Sequence, residues 1–412
     1  MTLGLAARLP AVLRELPQFR LLFAGQALSA LGDGITFVAL PFAVLSTGVG
    51  ATEVGLVAAA TTLPFFAFSL VAGVLADRLD RRSMMLTSDV VRLVCQLVAG
   101  LLLVTGVAEW WHLGIIGLFY GSADAFFQPA IYGLMPEIVP PVQLQEANAL
   151  RGLVERMGIV LGPAAAGVLV VGLGPGGALL VDSATFMASI ACLLALRRST
   201  VVQVAEAIEP DPDFLTGLRE GWHEVRSRSW VLSMLVGLAV YHVAVLPSIF
   251  ALGPVLADAE YDGAASWAII TAAFGIGAVA GQLLLLRWRP RRAIRASALC
   301  LLIASMQAAI LGSGLPVPAI AVLEGVAGIF VTAYFTLWET SIQEHVPAKA
   351  VSRVASYDLF VSVGLLPFGT AIFAPLSEVL GLQETLVLMS AIGVTAAVCV
   401  LSVPSVRTLA RP

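Results

Sequence analysis

Asp33, Asp124, Glu155, Asp182, Glu324 and Asp358 stand in or at the edge of otherwise apolar stretches, and His242 stands in another beside Tyr241. A charged side chain at the centre of a bilayer costs about 3 kcal/mol or more, so each needs a reason to be there. A carboxylate drawn out of water favours its neutral form and could take a proton on one side and release it on the other. Each acid could equally be a buried hydrogen-bonding or ion-paired group; Asp358 could pair with Arg353 or Arg151. Asp33 is the first choice for a proton carrier, because Gly32 and Gly34 leave room around it. His242 could titrate usefully or be a satisfied core group. Phe126, Phe127, Phe186, Tyr241, Tyr334 and Trp338 could stack on an amphipathic ligand or only pack.

Other chemistries have no footing. There is no metal-type cluster, and Cys95, Cys192, Cys300 and Cys399 lack paired spacing, so no metal or cofactor is expected. A zinc-protease His-Glu-x-x-His, a serine-hydrolase elbow and a phosphate loop are all missing, which argues against an enzyme and against ATP as the direct energy source. Nothing suggests a nucleic-acid partner.

The elements that position these groups follow from composition. Of 412 residues 59% are hydrophobic and 12% charged, against about a quarter charged in soluble proteins. At about 20 residues per span, apolar runs fall at 21–46, 53–76, 84–107, 112–135, 147–172 and 176–196, then at 230–257, 265–287, 294–313, 317–338, 350–375 and 384–404. The expected fold is an all-α polytopic membrane protein of twelve transmembrane helices in two pseudo-symmetric six-helix halves. Its parts are an N-terminal segment 1–20, a first bundle 21–196, a linker 197–228, a second bundle 229–404 and a C-terminal segment 405–412. Phe214, Leu218, Trp222 and Val225 share one face of a surface helix expected in the linker.

Charge sets the orientation. With the N-terminus cytoplasmic, none of the 23 Lys and Arg falls in an outward loop, whereas Glu53, Glu109, Asp258, Glu260, Asp262, Glu378 and Glu384 do. Arg92 alone lies inside a span, about two turns in from the cytoplasmic side. This is the positive-inside pattern, and it places both termini in the cytoplasm. No cleavable leader is expected, since Arg8, Arg14 and Arg20 precede the first apolar run. Arginine outnumbers lysine 22 to 1, which points to a GC-rich bacterial genome. The halves also repeat: Pro136-Glu137-Ile-Val-Pro140 recurs as Gln343-Glu344-His-Val-Pro347, about half the chain away. Two such halves joined by a cytoplasmic linker are a known transporter architecture.

Between spans two and three lies Gly73-x-x-x-Asp77-Arg78-x-Asp80-Arg81-Arg82. It resembles the loop signature of the major facilitator superfamily, with Asp80 where the family usually has a second glycine. In the second-half counterpart, Gly281 to Arg292, Leu285 replaces the aspartate, so Asp77 reads as a gating latch. In span five, Gly158-Ile-Val-Leu-Gly162-Pro163-Ala-Ala-Ala-Gly167 forms a small-residue groove, and Pro163 removes a backbone donor and is expected to kink the helix. It resembles the family's antiporter motif.

Leu31-Gly-Asp33-Gly, Ala125-Phe-Phe-Gln-Pro129-Ala and Asp182-Ser-Ala-Thr-Phe186 are similar to the enterobactin-exporter, macrolide-efflux and actinobacterial multidrug-pump branch. The resemblance implies a monomeric exporter of a hydrophobic or amphipathic small molecule, such as an antibiotic or siderophore, in the bacterial cytoplasmic membrane. Protons and the lipid bilayer are its other partners, and the proton gradient drives it. The alternative is a proton-coupled uptake symporter for a small nutrient. Many drug antiporters carry an arginine inside span four; here span four holds Asp124, and the basic partner must come from Arg92, Arg151 or Arg156.

Overall fold

Proline and glycine punctuate the helices where the apolar runs begin and end. Pro17 opens the first long helix, α1 (Pro17–Leu45), its ring preset for the first turn. Then come α2 (Ala51–Arg78), α3 (Arg81–Val104) and α4 (Trp110–Ile138). Leu144–Ala195 is one helical run broken only at Gly174, whose φ of 72° lies in the left-handed region. Its parts are α5 (144–173) and α6 (175–195). The helix continues through Pro163 with helical backbone angles, and the boundary between the fifth and sixth expected spans falls at Gly174.

These elements are seen in a computed structural model that describes residues 10–196 and 222–410, apart from 348–350, 352–353, 355–356, 359 and 363. The second half contributes α7 (Ser229–Glu260), α8 (Ala264–Arg287), α9 (Ala293–Leu311), α10 (Val317–His345), α11 (Leu366–Leu380) and α12 (Leu382–Ser402). No strand occurs among the described residues. Ten helical runs there are long and apolar enough to cross a membrane. One of them, 141–195, holds both α5 and α6, and α4, at 29 residues, is long enough to span but less apolar. The eleventh expected span, 350–375, ends later than expected, at Leu380, and its first turns lie partly outside the described residues. Of the expected linker helix, only 222–227 is described, and it is helical.

By internal contacts the chain divides into two units, Met1–Thr47 with Ala60–Glu206, and Gly48–Ala59 with Ala207–Pro412. Within the first, glycines let three helix pairs close to backbone contact. A Cβ added at Gly162 of α5 would lie 2.4 Å from Gly34 Cα of α1. One at Gly121 of α4 would meet Thr61 O of α2 at 1.9 Å, and one at Gly100 of α3 would meet Gly176 O of α6 at 2.9 Å. The second unit repeats the three pairings. A Cβ added at Gly369 of α11 would lie 2.3 Å from Val243 O of α7, one at Gly277 of α8 would lie 1.8 Å from Gly325 O of α10, and one at Gly393 of α12 would lie 3.0 Å from Ser305 Cβ of α9.

One span departs from the even helix that its apolar run predicts. α7 loosens into two π turns, Tyr241–Val245 and Ser248–Leu252. Pro247 has no N–H to return to the carbonyl of Val243, and the Leu246 N–H bonds back to Tyr241 O instead. Gly369 then packs against that carbonyl and the Pro247 ring.

Candidate functional site

The first unit encloses a polar cluster built around Arg92 of α3, whose side chain is only 1% exposed. Asp89, Arg92 and Gln96 fall at i, i+3 and i+7, so one stripe of α3 carries all three inward. Arg92 Nη2 donates to Asp89 Oδ1 at 2.5 Å; Nη1 lies 3.5 Å from Asp124 Oδ1 of α4 and 3.8 Å from Asp33 Oδ1 of α1. Its guanidinium carbon sits 4.3 Å from the ring centre of Phe127 and 4.6 Å from that of Phe186. Of the three arginines named as possible basic partners, Arg92 is the one that stands beside Asp124.

The aspartates differ in how they are held. Asp89 is fully buried and its second oxygen accepts from the Ser189 hydroxyl at 2.7 Å. Asp182 is fully buried too: Oδ2 accepts from Thr36 Oγ1 (2.6 Å) and Gln96 Nε2 (2.7 Å), and Oδ1 from Thr185 Oγ1 (3.0 Å). Asp33 is 44% exposed, with one oxygen accepting from Tyr120 Oη at 2.7 Å. The first-choice acid is therefore the most accessible of the cluster. The glycines beside it serve other ends: a Cβ at Gly32 would strike Asp182 Oδ1 at 1.9 Å, and one at Gly34 would strike Gly158 O at 2.5 Å.

The other predicted residues fall elsewhere. Glu155 pairs with Arg151 at 2.6 Å, one turn away on the same helix. Asp358 accepts from Trp338 Nε1 at 2.7 Å; of the two arginines offered as partners, Arg151 pairs with Glu155 and Arg353 lies outside the described residues. Glu324, fully buried in the second unit, accepts from Gln307 Nε2 at 3.0 Å. His242 turns Nδ1 to its own helix at Leu238 O (3.0 Å) and packs on Tyr241 and Phe335, as a satisfied core group does. The aromatic candidates do not gather into one pocket of either unit. Phe126 stacks on Phe68 and Phe127 and Phe186 flank Arg92 in the first; Tyr241 and Tyr334 adjoin in the second, where Trp338 meets Trp230 edge-on.

In the loop motif, Gly73 lies in α2 as do Asp77 and Arg78, but their side chains are outside the described ones, and the latch with them. Asp80 caps α3, accepting from the Ser83 N–H at 2.9 Å. An aspartate at this place does for the helix start what the usual glycine cannot. Arg81 bridges to α4 through Gly133 O and Glu137, both at 2.8 Å, and Arg82 donates to the last carbonyls of α6, Leu193 O and Leu194 O. Of the helix-five motif, Gly158 and Gly162 form the backbone contact with α1, while Pro163 and Gly167 are buried.

Asp89, Gln96, Tyr120, Thr36 and Ser189 are members that the sequence reading passed over. Asp89 and Gln96 were signalled by their helical spacing about Arg92; the others are single polar groups with no such pattern.

The chain as a whole is similar to known proteins. The profile of the transmembrane secretion effector family matches residues 11–410. The multidrug efflux pump Tap of Mycolicibacterium fortuitum is 27% identical, over 95% of this chain and 97% of its own. Macrolide efflux protein A of Streptococcus pyogenes is 23% identical over 65% of this chain and 66% of its own. Crystal structures of the nucleoside transporter NupG (TM-score 0.74, 13% identity, 94% of this chain and 99% of that one) and of a peptide transporter POT (0.76, 11%, 100% of both) share the fold. The chain belongs to the transmembrane secretion effector family and is a multi-pass membrane transporter of the major facilitator superfamily.

Proposed function

We propose that the protein exports hydrophobic or amphipathic small molecules, such as antibiotics, by proton antiport with alternating access. It does so across a bacterial cytoplasmic membrane, with both termini inside. The relatives named as multidrug and macrolide efflux pumps support the export of drugs, and the helix-five glycine-proline motif supports antiport over symport.

The observation that carries the coupling is the shared Nη1 of Arg92. It stands 3.5 Å from Asp124 and 3.8 Å from Asp33, outside the 2.7–2.9 Å of a charge-assisted bond to either. One guanidinium cannot balance Asp33, Asp89 and Asp124 together, and like charges gathered on one site disfavour the ionisation of all three. A proton makes up the difference. When it sits on Asp33, Arg92 is free to close on Asp124; when it leaves, Arg92 is drawn back toward Asp33. Asp33, the exposed member, is where water or a cationic substrate reaches the cluster, so substrate and proton compete for one carboxylate. Tyr120 steadies that carboxylate, and Phe127 and Phe186 hold the guanidinium on its track.

Inverted vesicles test this with ethidium as the probe. Adding ethidium to energised vesicles is expected to dissipate the pH gradient, and Asp33→Asn to abolish the effect while leaving the protein folded. Ethidium accumulation in whole cells driven by inward protons would overturn export, and unaltered coupling in Asp33→Asn would remove Asp33 from the path.

A further inference from the structure

Glu324 lies in the second unit, about two turns into α10, with no exposed surface. It stands at the end of a side-chain relay from two other helices. Tyr241 Oη, in the first π turn of α7, donates to Gln307 Oε1 of α9 at 2.7 Å, and Gln307 Nε2 donates to Glu324 Oε2 at 3.0 Å. The other carboxyl oxygen, Oε1, has no hydrogen-bond partner, nor has the hydroxyl of Tyr334, whose ring lies beside that of Tyr241. Among the described residues Glu324 has no ion pair. The titratable rings nearest the relay are Tyr241, Tyr334 and His242, and the histidine is turned to Leu238 O.

Buried polar atoms are almost always paired, so an orphaned carboxyl oxygen asks for an explanation. A bare carboxylate here would be a charge in an apolar enclosure with a single amide for compensation, at a cost of several kcal/mol. A neutral acid fits. Because Oε2 is committed to accepting from the Gln307 amide, the acid proton belongs on Oε1, the atom the protein leaves free. Full enclosure excludes a drug-sized ligand from this position. π turns gather at functional sites, and here the loosened turn carries the first donor of the relay.

We infer that Glu324 is a second proton carrier, working alongside the Arg92 cluster of the first unit and held in register by Tyr241 and Gln307. The inference rests on the proton-antiport reading and extends it: each unit brings its own exchangeable proton. The step is an O–H bond made at Oε1 with a proton delivered by hydronium, which leaves as water, when the site opens to one side, and broken when it opens to the other, where water takes the proton as hydronium. No electrons or other groups move.

Two measurements on the purified full-length protein test it. The first is infrared difference spectroscopy, which needs no transport: Glu324→Gln is expected to remove one component of the protonated-carboxylic-acid carbonyl stretch seen in the wild type, leaving the component that belongs to the Arg92 cluster. The second uses proteoliposomes in which an ethidium gradient is set against a pH gradient, and the zero-flux point gives protons per ethidium. Glu324→Gln is expected to lower that ratio by one while downhill ethidium flux persists, and Glu324→Asp to restore it. The conservative variant guards against a folding defect. A carboxylic band unchanged between the wild type and Glu324→Gln, or an unaltered ratio in Glu324→Gln, overturns the inference. Wild-type protein that shows the band but no gradient-driven ethidium movement overturns the antiport reading, and the carrier role with it.

Discussion

Asp89 and Asp33 both face Arg92, yet their surroundings assign them different work. Asp89 makes the short bond to Nη2 from a fully buried position and is itself fixed by Ser189. Asp33 is 44% exposed and further from the guanidinium. Removing one partner of a buried ion pair costs roughly 3–5 kcal/mol, because the other charge is stranded. Asp124 and Asp33 remain near Arg92, so Asp89→Asn is expected at the low end, about 3 kcal/mol. Thermal unfolding in detergent should show it as a clear drop in melting temperature, whereas Asp33→Asn should melt like the wild type. Equal melting of the two variants would mean that Asp89 does not anchor the cluster. Hydropathy alone marked Asp33, Asp124 and Asp182 as acids in apolar runs. Asp89 was harder to see because it lies near the charged start of α3, where an acid is ordinary; only its spacing to Arg92 sets it apart.

At the scale of helices, the glycines of α5 were read as a groove, and the structure supplies the partner. Gly158 and Gly162 receive α1 at Ala30 and Gly34, with a Gly162 Cβ only 2.4 Å from Gly34 Cα. Neither side is a flexible side chain, so a larger residue must push two backbones apart. Overpacking of this kind costs typically 1–3 kcal/mol, and Gly162→Leu is expected to lower thermal stability by about that much. Gly152, earlier in the same helix, has nothing within 4 Å of its added Cβ. Gly152→Ala should therefore be neutral or stabilising by up to about 1 kcal/mol, the helix-propensity difference. If both substitutions are tolerated alike, α1 and α5 are not held by this contact. Helix ends were legible for the same local reasons that form them, such as Pro17 at the start of α1 and Asp80 at that of α3. The π turns of α7 were not, since they depend on Pro247 meeting Gly369, a residue more than a hundred positions away.

For the whole chain, orientation rests on charge. Arg289 lies in the exposed turn between α8 and α9, Glu109 in the one between α3 and α4. Short loops rich in arginine stay on the cytoplasmic side, while acidic loops cross freely; that asymmetry, repeated along all 412 residues, supports the proposed topology. In a background with Cys95, Cys192, Cys300 and Cys399 replaced by serine, Glu109→Cys is expected to react with a membrane-impermeant maleimide in intact cells. Arg289→Cys should stay unlabelled there and react only in inverted vesicles. The opposite pattern would reverse the chain in the membrane. It would also exchange the sides from which Asp33 and Glu324 take up and release protons, turning the proposed export into uptake. Labelling of both positions from one side would mean that an even number of crossings separates these two loops, so that α4 through α8 do not all span. The less apolar α4 is the segment on which this result turns, because its passage through the membrane is what brings Asp124 to Arg92 inside the first unit.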